Sequence, residues 1–325
     1  MEKKIVKILI TGVAGFIGFN FAKHLIYKKK YKIYGIDNFD NYYSTKFKHL
    51  RIKELKKSKN FYFKKIDITN KTNLKKYFKD KNFKFIFHFA AQAGVRYSLI
   101  NPKKYVKVNK IGFENLVQNL GNQNNLKSFF YASSSSVYGS KKKFPTSESA
   151  KLSPVSIYAK TKIQNENFAK KKRKDFRFDL IGLRFFTVYG EWGRPDMFIF
   201  KILNAHKNKK IFFLNNFGNH ERDFTYVGDV VKILNNFMSI NKFKHSIFNI
   251  CSSNPINIKS LSDYLKNNLK IKSIKEVKKN SYDVNKTYGD NKLMKKYTNF
   301  KKFTDFKVGL NRTVKWYLKN QIYKL

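Results

Sequence analysis

The sequence of 325 residues holds one cysteine, Cys251, and five prolines. A single thiol excludes an intramolecular disulfide framework and any Cys-rich zinc module. There is no run of about 18 apolar residues, so a transmembrane helix is not expected. Acids are scarce: 21 Asp and Glu stand against 69 Lys and Arg, for a formal net charge of +48. Arginine is scarce among the cations, standing only at positions 51, 96, 173, 177, 184, 194, 222 and 312. Basic tail, RNA-binding signature, internal repeat and Gly/Ser linker are all missing. The stretch IVKILITGVAGFIG is interrupted by Lys7 and lacks a small-residue cleavage site. It reads as a strand entering a glycine turn, not as a secretory signal. With one thiol and no export signal, the expected compartment is the cytoplasm.

The charge has two readings. Clustered cations can neutralise nucleic-acid phosphates. Here, however, lysines run along the whole chain in pairs and triplets. Lys, Phe, Asn, Ile and Tyr are all plentiful, and AT-rich codons specify all five. The expectation is therefore a solvated basic surface without a specific nucleic-acid partner. It should draw in anionic substrates and make folding sensitive to salt. His24, His49 and His88 fall on different expected elements, and no metal site is expected.

Hydrophobic residues make up 42% of the chain, enough for a sizeable core. β-rich runs at 5–11, 32–37, 60–66, 83–90, 127–133 and 178–186 alternate with helical stretches near 15–28, 46–57, 71–79, 104–120 and 156–172. This alternation predicts a doubly wound parallel sheet with helices on both faces, an α/β fold. The runs at 83–90 and 127–133 are nearly all apolar, as strands covered on both faces should be. After Gly190 the rhythm loosens. A helix at 228–239, a strand at 246–251 and helices near 259–269 and 306–320 remain legible. We expect a nucleotide-binding domain over 1–186, with a return near 226–250, and a smaller, interleaved substrate lobe over 187–325.

Thr11-Gly12-Val13-Ala14-Gly15-Phe16-Ile17-Gly18 follows the first strand and opens a helix. Glycines there permit positive φ and close approach of backbone to a pyrophosphate, and the helix N-terminus offers free N–H groups. The spacing GxxGxxG also suits an ordinary glycine turn. Asp37, followed by Asn38, ends the second strand 19 residues after Gly18. An acid there can bind adenosine ribose hydroxyls and repel a 2′-phosphate, favouring NAD over NADP; it can also simply cap a turn. Asp67, followed by Ile68, ends the third strand and either faces the adenine or sits in a loop.

Tyr158-Ala159-Lys160-Thr161-Lys162 places a Tyr and a Lys four residues apart, on one helix face. A phenol of ordinary pKa about 10 becomes a usable acid/base when a nearby ammonium and a cationic nicotinamide favour the phenolate. In a chain this rich in Tyr and Lys the pattern alone is weak. Upstream, Ser133, Ser134, Ser135 and Ser136 leave a buried strand at its carboxyl end, where doubly wound sheets bind ligands. They suit a sugar, or a simple serine-rich turn.

TGVAGFIG, DNFDNYYS, FAAQAGVRYS, YASSSSVYG, YAKTK, LRFFTVYG, GRPDM and RDFTYVGD occur in this order over roughly residues 5–320. Together they resemble the extended short-chain dehydrogenase/reductase superfamily, with its Rossmann-type sheet, and within it the UDP-glucuronate 4-epimerases. The resemblance implies that Tyr158 is the base, Lys162 its partner on the nicotinamide ribose, and Ser134 the hydrogen-bond partner of the reacting 4-hydroxyl. It implies NAD held by Gly12, Gly15, Phe16, Ile17, Gly18, Asp37, Asn38, Asp67, Ile68, Ala90 and Gln92. By the same resemblance Asn109 is expected to support the active-site backbone. The implied reaction oxidises C4 of UDP-glucuronate to a 4-keto sugar and reduces it on the other face to UDP-galacturonate, feeding surface polysaccharide synthesis.

Dehydratases and decarboxylases of the superfamily carry acids where Ser135 and Ser136 stand here. These hydroxyls, with Thr187, suit a uronate carboxylate instead. Arg binds carboxylate or phosphate with paired N–H bonds, which Lys cannot. By resemblance Arg222 contacts the diphosphate and Arg194 lies near substrate. Arg96 fits either substrate or a structural ion pair, and Arg184 reads as structural. Asp283 resembles a uridine-ribose acid, although its flanking residues depart from the family pattern. A homodimer through the helices at 104–120 and 156–172 is implied. Two alternatives stay open: a 4-epimerase of UDP-glucose or UDP-GlcNAc, and a non-enzymatic dinucleotide sensor or polyanion-binding scaffold.

Overall fold

A computed structural model describes residues 5–79, 81–121, 123–271, 274–278 and 284–321. The first half alternates strand and helix: β1 (Val6–Thr11), α1 (Phe16–Ile26), β2 (Tyr31–Asp37), α2 (Thr45–Leu55), β3 (Phe61–Lys65), α3 (Lys71–Lys79) and β4 (Phe85–His88). Two short helices follow, α4 (Tyr97–Ile100) and α5 (Pro102–Tyr105), then a π-helical turn over Val106–Ile111 that runs into α6 (Gly112–Gln118). Next come β5 (Ser128–Ser134), α7 (Ile157–Lys172), β6 (Asp179–Phe185), β7 (Thr187–Tyr189), α8 (Phe198–Lys207) and β8 (Phe212–Asn215). The chain continues through β9 (Glu221–Tyr226), α9 (Val227–Phe237), β10 (Ile247–Ile250), β11 (Pro255–Asn257), α10 (Ile258–Leu269), β12 (Ile274–Val277), α11 (Lys292–Thr298) and α12 (Phe306–Asn320).

Seven strands form one parallel sheet in the order β10-β6-β5-β4-β1-β2-β3. This is a Rossmann-type α/β fold, and the chain order reverses between β1 and β4. The central strands are apolar on both faces, so neighbouring residues feed separate cores, whereas the edge strand β3 exposes Tyr62, Lys64 and Lys65. Ile8, Ile10, Phe85, Phe87, Phe130, Ile181 and Leu183 join one cluster. Leu9, Ile86, Phe129, Tyr131 and Leu180 join the other. Aromatic rings carry much of the first, as where Phe87 and Phe130 stack at 4.7 Å across β4 and β5. Each such ring, fully buried, contributes roughly 2 kcal/mol.

Two expectations need correction. The stretch 104–120 is not one α-helix: the π-turn accommodates Asn109, whose side chain turns inward to a loop backbone. Such a widened turn often marks a functional position. After Gly190 more order exists than the sequence pattern reveals. β9 pairs with β11 and with β7, which just precedes Gly190, β8 pairs with β12, and α8 and α11 are regular helices. These strands have three to six residues, too few for a periodic signal.

Candidate active site

A cleft of about 250 Å³ opens at the carboxyl ends of β1, β2, β4 and β5, at the point where strand order reverses. Gly12, Gly15, Phe16, Ile17, Gly18, Asp37, Asn38, Ile68, Ala90, Gln92, Ser134, Tyr158, Lys162 and Arg194 line it. The glycine turn therefore shares one cavity with the Tyr–Lys pair, although residues 12 and 158 lie far apart in sequence.

The turn leaves no room for a Cβ at any of its three glycines, Gly12, Gly15 and Gly18. Gly12 has φ +68°, and a Cβ there would sit 2.5 Å from the Ala90 nitrogen. A Cβ at Gly18 would sit 2.4 Å from the Gly12 carbonyl. Asp37 ties the turn to β2, accepting from Ala14 N at 3.1 Å and from Phe39 N at 2.8 Å. Burial raises its pKa against the pull of Lys48 and these backbone donors. Asp67 stands one layer behind the cleft wall. Burial pushes its carboxyl up, but hydrogen bonds from Asn38 and Thr69 outweigh that and hold it below its ordinary value.

Tyr158 and Lys162 project from the first turns of α7, whose N-terminus is capped by Ser156 accepting from Ala159 N. The Tyr158 hydroxyl faces Ser134, at the end of β5, and both residues line the cleft. Ser136 donates both its N–H and its hydroxyl to the Ser134 oxygen, at 3.2 and 2.9 Å. Lys162 is buried and donates to the Ala132 carbonyl at 2.7 Å. Its ammonium lies 5.8 Å from the Tyr158 ring centroid.

The expected acidification of Tyr158 by Lys162 does not hold in the chain alone. Burial raises the phenol above its usual pKa, and the groups opposing that rise are Ser134 and Arg194. Burial also brings Lys162 down to about 8, with Glu166 acting against the fall. Low dielectric disfavours the charged form of both groups, and Lys162 directs a proton to a carbonyl.

Behind the cleft lie two polar networks. Asn109 accepts from Gln92 N at 2.8 Å and donates to Gln92 O at 3.0 Å and to Thr161 at 3.2 Å, stapling the loop after β4 to α7. Glu166, one turn beyond Lys162, makes a two-pronged pair with Arg184 at 2.9 and 2.7 Å and accepts from Ser133. Arg184 also donates to the Tyr138 hydroxyl, which donates to Asn249. Arg184 is thus structural, as its place inside a strand pattern suggests.

Five other expected residues do not line the cleft itself. Ser135 and Ser136 form a 3-10 turn beside it and are half-buried. Thr187 starts β7, and Arg222 on β9 donates to the Glu221 and Asn285 carbonyls. Arg96 is exposed ahead of α4. None of these five lines the cavity. Asp283 lies outside the described residues.

The structure adds residues that the pattern did not single out. Arg194 pairs with Asp196 at 2.9 and 2.7 Å, and Tyr42 donates to the same carboxylate at 3.0 Å. Asp40 holds Lys104 at 2.7 Å. Tyr42, Asp40, Tyr43 and Lys48 all face the cleft, so the segment after Asp37 forms one of its walls. The DNFDNYYS and GRPDM stretches contain all of these except Lys48 and Lys104, but only their packing shows which side chains meet.

Comparisons with known proteins agree with this geometry. The sequence profile of the family described as "GDP-mannose 4,6 dehydratase" matches residues 9–313. An uncharacterized protein of Methanocaldococcus jannaschii, MJ1055, is 40% identical and covers 99% of each chain. UDP-glucuronate 4-epimerase 4 of Arabidopsis thaliana is 37% identical over 96% of this chain and 75% of its own. The solved UDP-glucuronic acid 4-epimerase of Bacillus cereus, in complex with UDP-glucuronic acid and NAD, superimposes with a TM-score of 0.89. It has 27% identity and covers 97% of this chain and 99% of that one. With the glycine turn, the Ser–Tyr–Lys cluster and a match over almost its whole length, this chain belongs to the GDP-mannose 4,6 dehydratase family of the extended short-chain dehydrogenase/reductases.

Proposed function

We propose that this protein is an NAD-dependent isomerase that interconverts UDP-glucuronate and UDP-galacturonate at C4. The observation that carries the reading is the placement of Tyr158, Ser134 and Lys162 on the wall of the cavity that the glycine turn opens into. The likeness to an epimerase solved with UDP-glucuronic acid and NAD supports the same substrate and cofactor.

The residues present fit a dinucleotide. The glycines let the turn fold tightly against Ala90 and onto itself, and α1 begins there without a side-chain cap, leaving its first N–H groups for a phosphate. Gly12, Gly15, Phe16, Ile17 and Gly18 would hold the diphosphate. Asp37 and Asn38 would take the adenosine ribose, with Asp67 and Ile68 beside the adenine. Ala90, Gln92, Asn109 and Lys162 would hold the nicotinamide half. NAD, when bound, supplies reversible oxidation and reduction at C4 through a 4-keto sugar.

The chain's own work is to hold and move the proton. Tyr158 accepts the proton of the 4-hydroxyl and returns it, and Ser134 keeps that hydroxyl and the phenol in line. Lys162 stabilises the phenolate once a second cation adjoins it. In the resting chain it favours the Ala132 carbonyl. Ser135 and Ser136, which follow the cavity-lining Ser134, and Thr187, between the cavity-lining Phe186 and Val188, would receive the uronate carboxylate. The turn contains no acid where a dehydratase needs one. In this reading Arg194 and, from outside the cavity of the chain alone, Arg222 would hold the anionic diphosphate or carboxylate, Arg96 would contact the substrate, and Asp283 would take the uridine ribose.

Residues 1–186 with the return near 226–250 form the dinucleotide domain of this reading, and 187–325 mainly the UDP-sugar lobe. Two subunits pair through α5, α6 and α7. Ile100, Val106, Ile111 and Val155 are exposed apolar residues on or beside these elements, which supports a covered face. No helix among the described residues is long and apolar enough to cross a membrane, and we place the reaction in the cytoplasm.

Incubation of the purified protein with UDP-glucuronate, without added reductant, should yield UDP-galacturonate by NMR. Parallel assays with UDP-glucose and UDP-GlcNAc decide the substrate. No preference for the uronate would refute the assignment, and no turnover of any of the three would refute the enzyme.

A further inference from the structure

Arg51 heads the largest fully buried side chains of the structure. It comes from α2, and its hydrogen bonds go to carbonyls and a hydroxyl, none to a carboxylate. One arm, Nη1, donates to the Ala14 carbonyl at 2.7 Å and to the Tyr43 hydroxyl at 2.6 Å. The other arm, Nη2, donates to the Trp192 carbonyl and reaches the Gly193 carbonyl at 3.5 Å. The guanidinium carbon lies 4.2 Å from the Phe47 ring centroid, and that ring stacks on Trp192 at 5.7 Å. Nε has no hydrogen-bond partner among the described residues. Asp37 feels its charge, but no carboxylate bonds to it directly, and a buried charge without a contact ion pair is a poor device for stability alone.

The two loops it joins carry the two halves of the site. Ala14 belongs to the glycine turn. Gly193 immediately precedes Arg194, the guanidinium that lines the cleft. We propose that Arg51 is a positioning residue that fixes the glycine turn and the Trp192–Arg194 turn relative to each other, so that one side chain sets both dinucleotide seating and sugar-nucleotide placement. The inference rests on reading the cleft as an NAD and UDP-sugar site. The fork geometry explains why arginine stands here in a chain whose common cation is lysine: an ammonium is a point donor and cannot present two arms to opposite loops.

The test is Arg51→Lys, which keeps the charge and removes the fork. The variant should keep the wild-type circular dichroism spectrum. Its NAD affinity by titration should fall about fivefold or more, and its KM for UDP-glucuronate at saturating NAD should rise by about as much. Its kcat should stay within about threefold, because the proton-transfer groups are untouched. A folded variant with both constants unchanged overturns the proposal. So does a lower melting temperature with unchanged constants, or a change in only one of the two. Should Arg51→Lys fail to fold, Phe47→Leu removes the ring beneath the guanidinium and keeps apolar bulk. It must weaken NAD binding and raise KM together, or the proposal falls. A wild-type protein that neither binds NAD nor converts UDP-glucuronate overturns the functional reading, and the inference with it. Normal wild-type behaviour with indifferent variants overturns the inference alone.

Discussion

Lys162 donates to the carbonyl of Ala132 at 2.7 Å, two residues before the serine that meets Tyr158. A buried ammonium on a strand carbonyl is in place for chemistry at a cost to the fold. Burial lowers its pKa from 10.5 to about 8. The unfolded chain therefore holds this proton at pH values where the folded chain has released it. Stability rises with pH across the window from about 8 to about 10.5, and the charge destabilises the fold below it.

Lys162→Met should accordingly be the more stable protein at pH 7. The lost penalty is roughly 3 kcal/mol and the lost hydrogen bond about 1, so a net gain of about 2 kcal/mol is expected. That gain should shrink as pH rises through the window. Urea denaturation of cofactor-free protein at pH 7 and 9.5 measures it, and a difference independent of pH would contradict the account. The variant should also be inactive.

Tyr158→Phe removes the proton acceptor and leaves the packing of the ring beside Tyr105. Turnover of UDP-glucuronate should fall by about a thousandfold, the scale of general acid–base catalysis. NAD content after purification should stay at the wild-type level. Near-normal turnover would exclude Tyr158 as the base.

Glu166 and Arg184 are each about 5% exposed at the side chain, so breaking the pair strands a charge. Arg184→Met should destabilise the protein by roughly 3–5 kcal/mol. Combining it with Glu166→Gln should recover part of that loss, because no charge is then left buried. A double-mutant cycle by denaturation should return a coupling of about 2 kcal/mol or more, and strict additivity would show that the pair does not act as a unit.

Gly12→Ala places a methyl group against Ala90 in a backbone with positive φ. The strain alone is on the order of 1–3 kcal/mol, and the close approach adds to it. The purified variant should contain no NAD, and NAD should no longer raise its melting temperature. Retained NAD would show that the turn is not the diphosphate cradle.

The apolar residues beside α5, α6 and α7 lead to a prediction for assembly. Light scattering behind size exclusion should give twice the chain mass for the wild type. Ile111→Glu, at an exposed position of the π-turn, should give the monomer with NAD still bound. A wild-type monomer, or an unaffected dimer in Ile111→Glu, would exclude this face.

Sequence by itself determined what is local or periodic. Apolar runs with side chains alternating between two buried faces specify the parallel strands, and the glycine spacing marks the turn after β1. Tyr158 and Lys162 meet because four residues make about one helical turn, and four serines leaving a buried strand mark the sheet's working edge. Only the tertiary structure decided which distant groups neutralise or support one another. Tyr42 finds Asp196 across 154 residues, and Arg51 finds Trp192 across 141. Arg184 finds Glu166 because β6 lies next to β5 under α7, and β10 adds its edge to the same sheet from far along the chain. It also decided the pKa directions of Tyr158 and Lys162. A spacing states how near two side chains lie along a helix, but the shift depends on how much water burial removes and on which carbonyls and charges replace it.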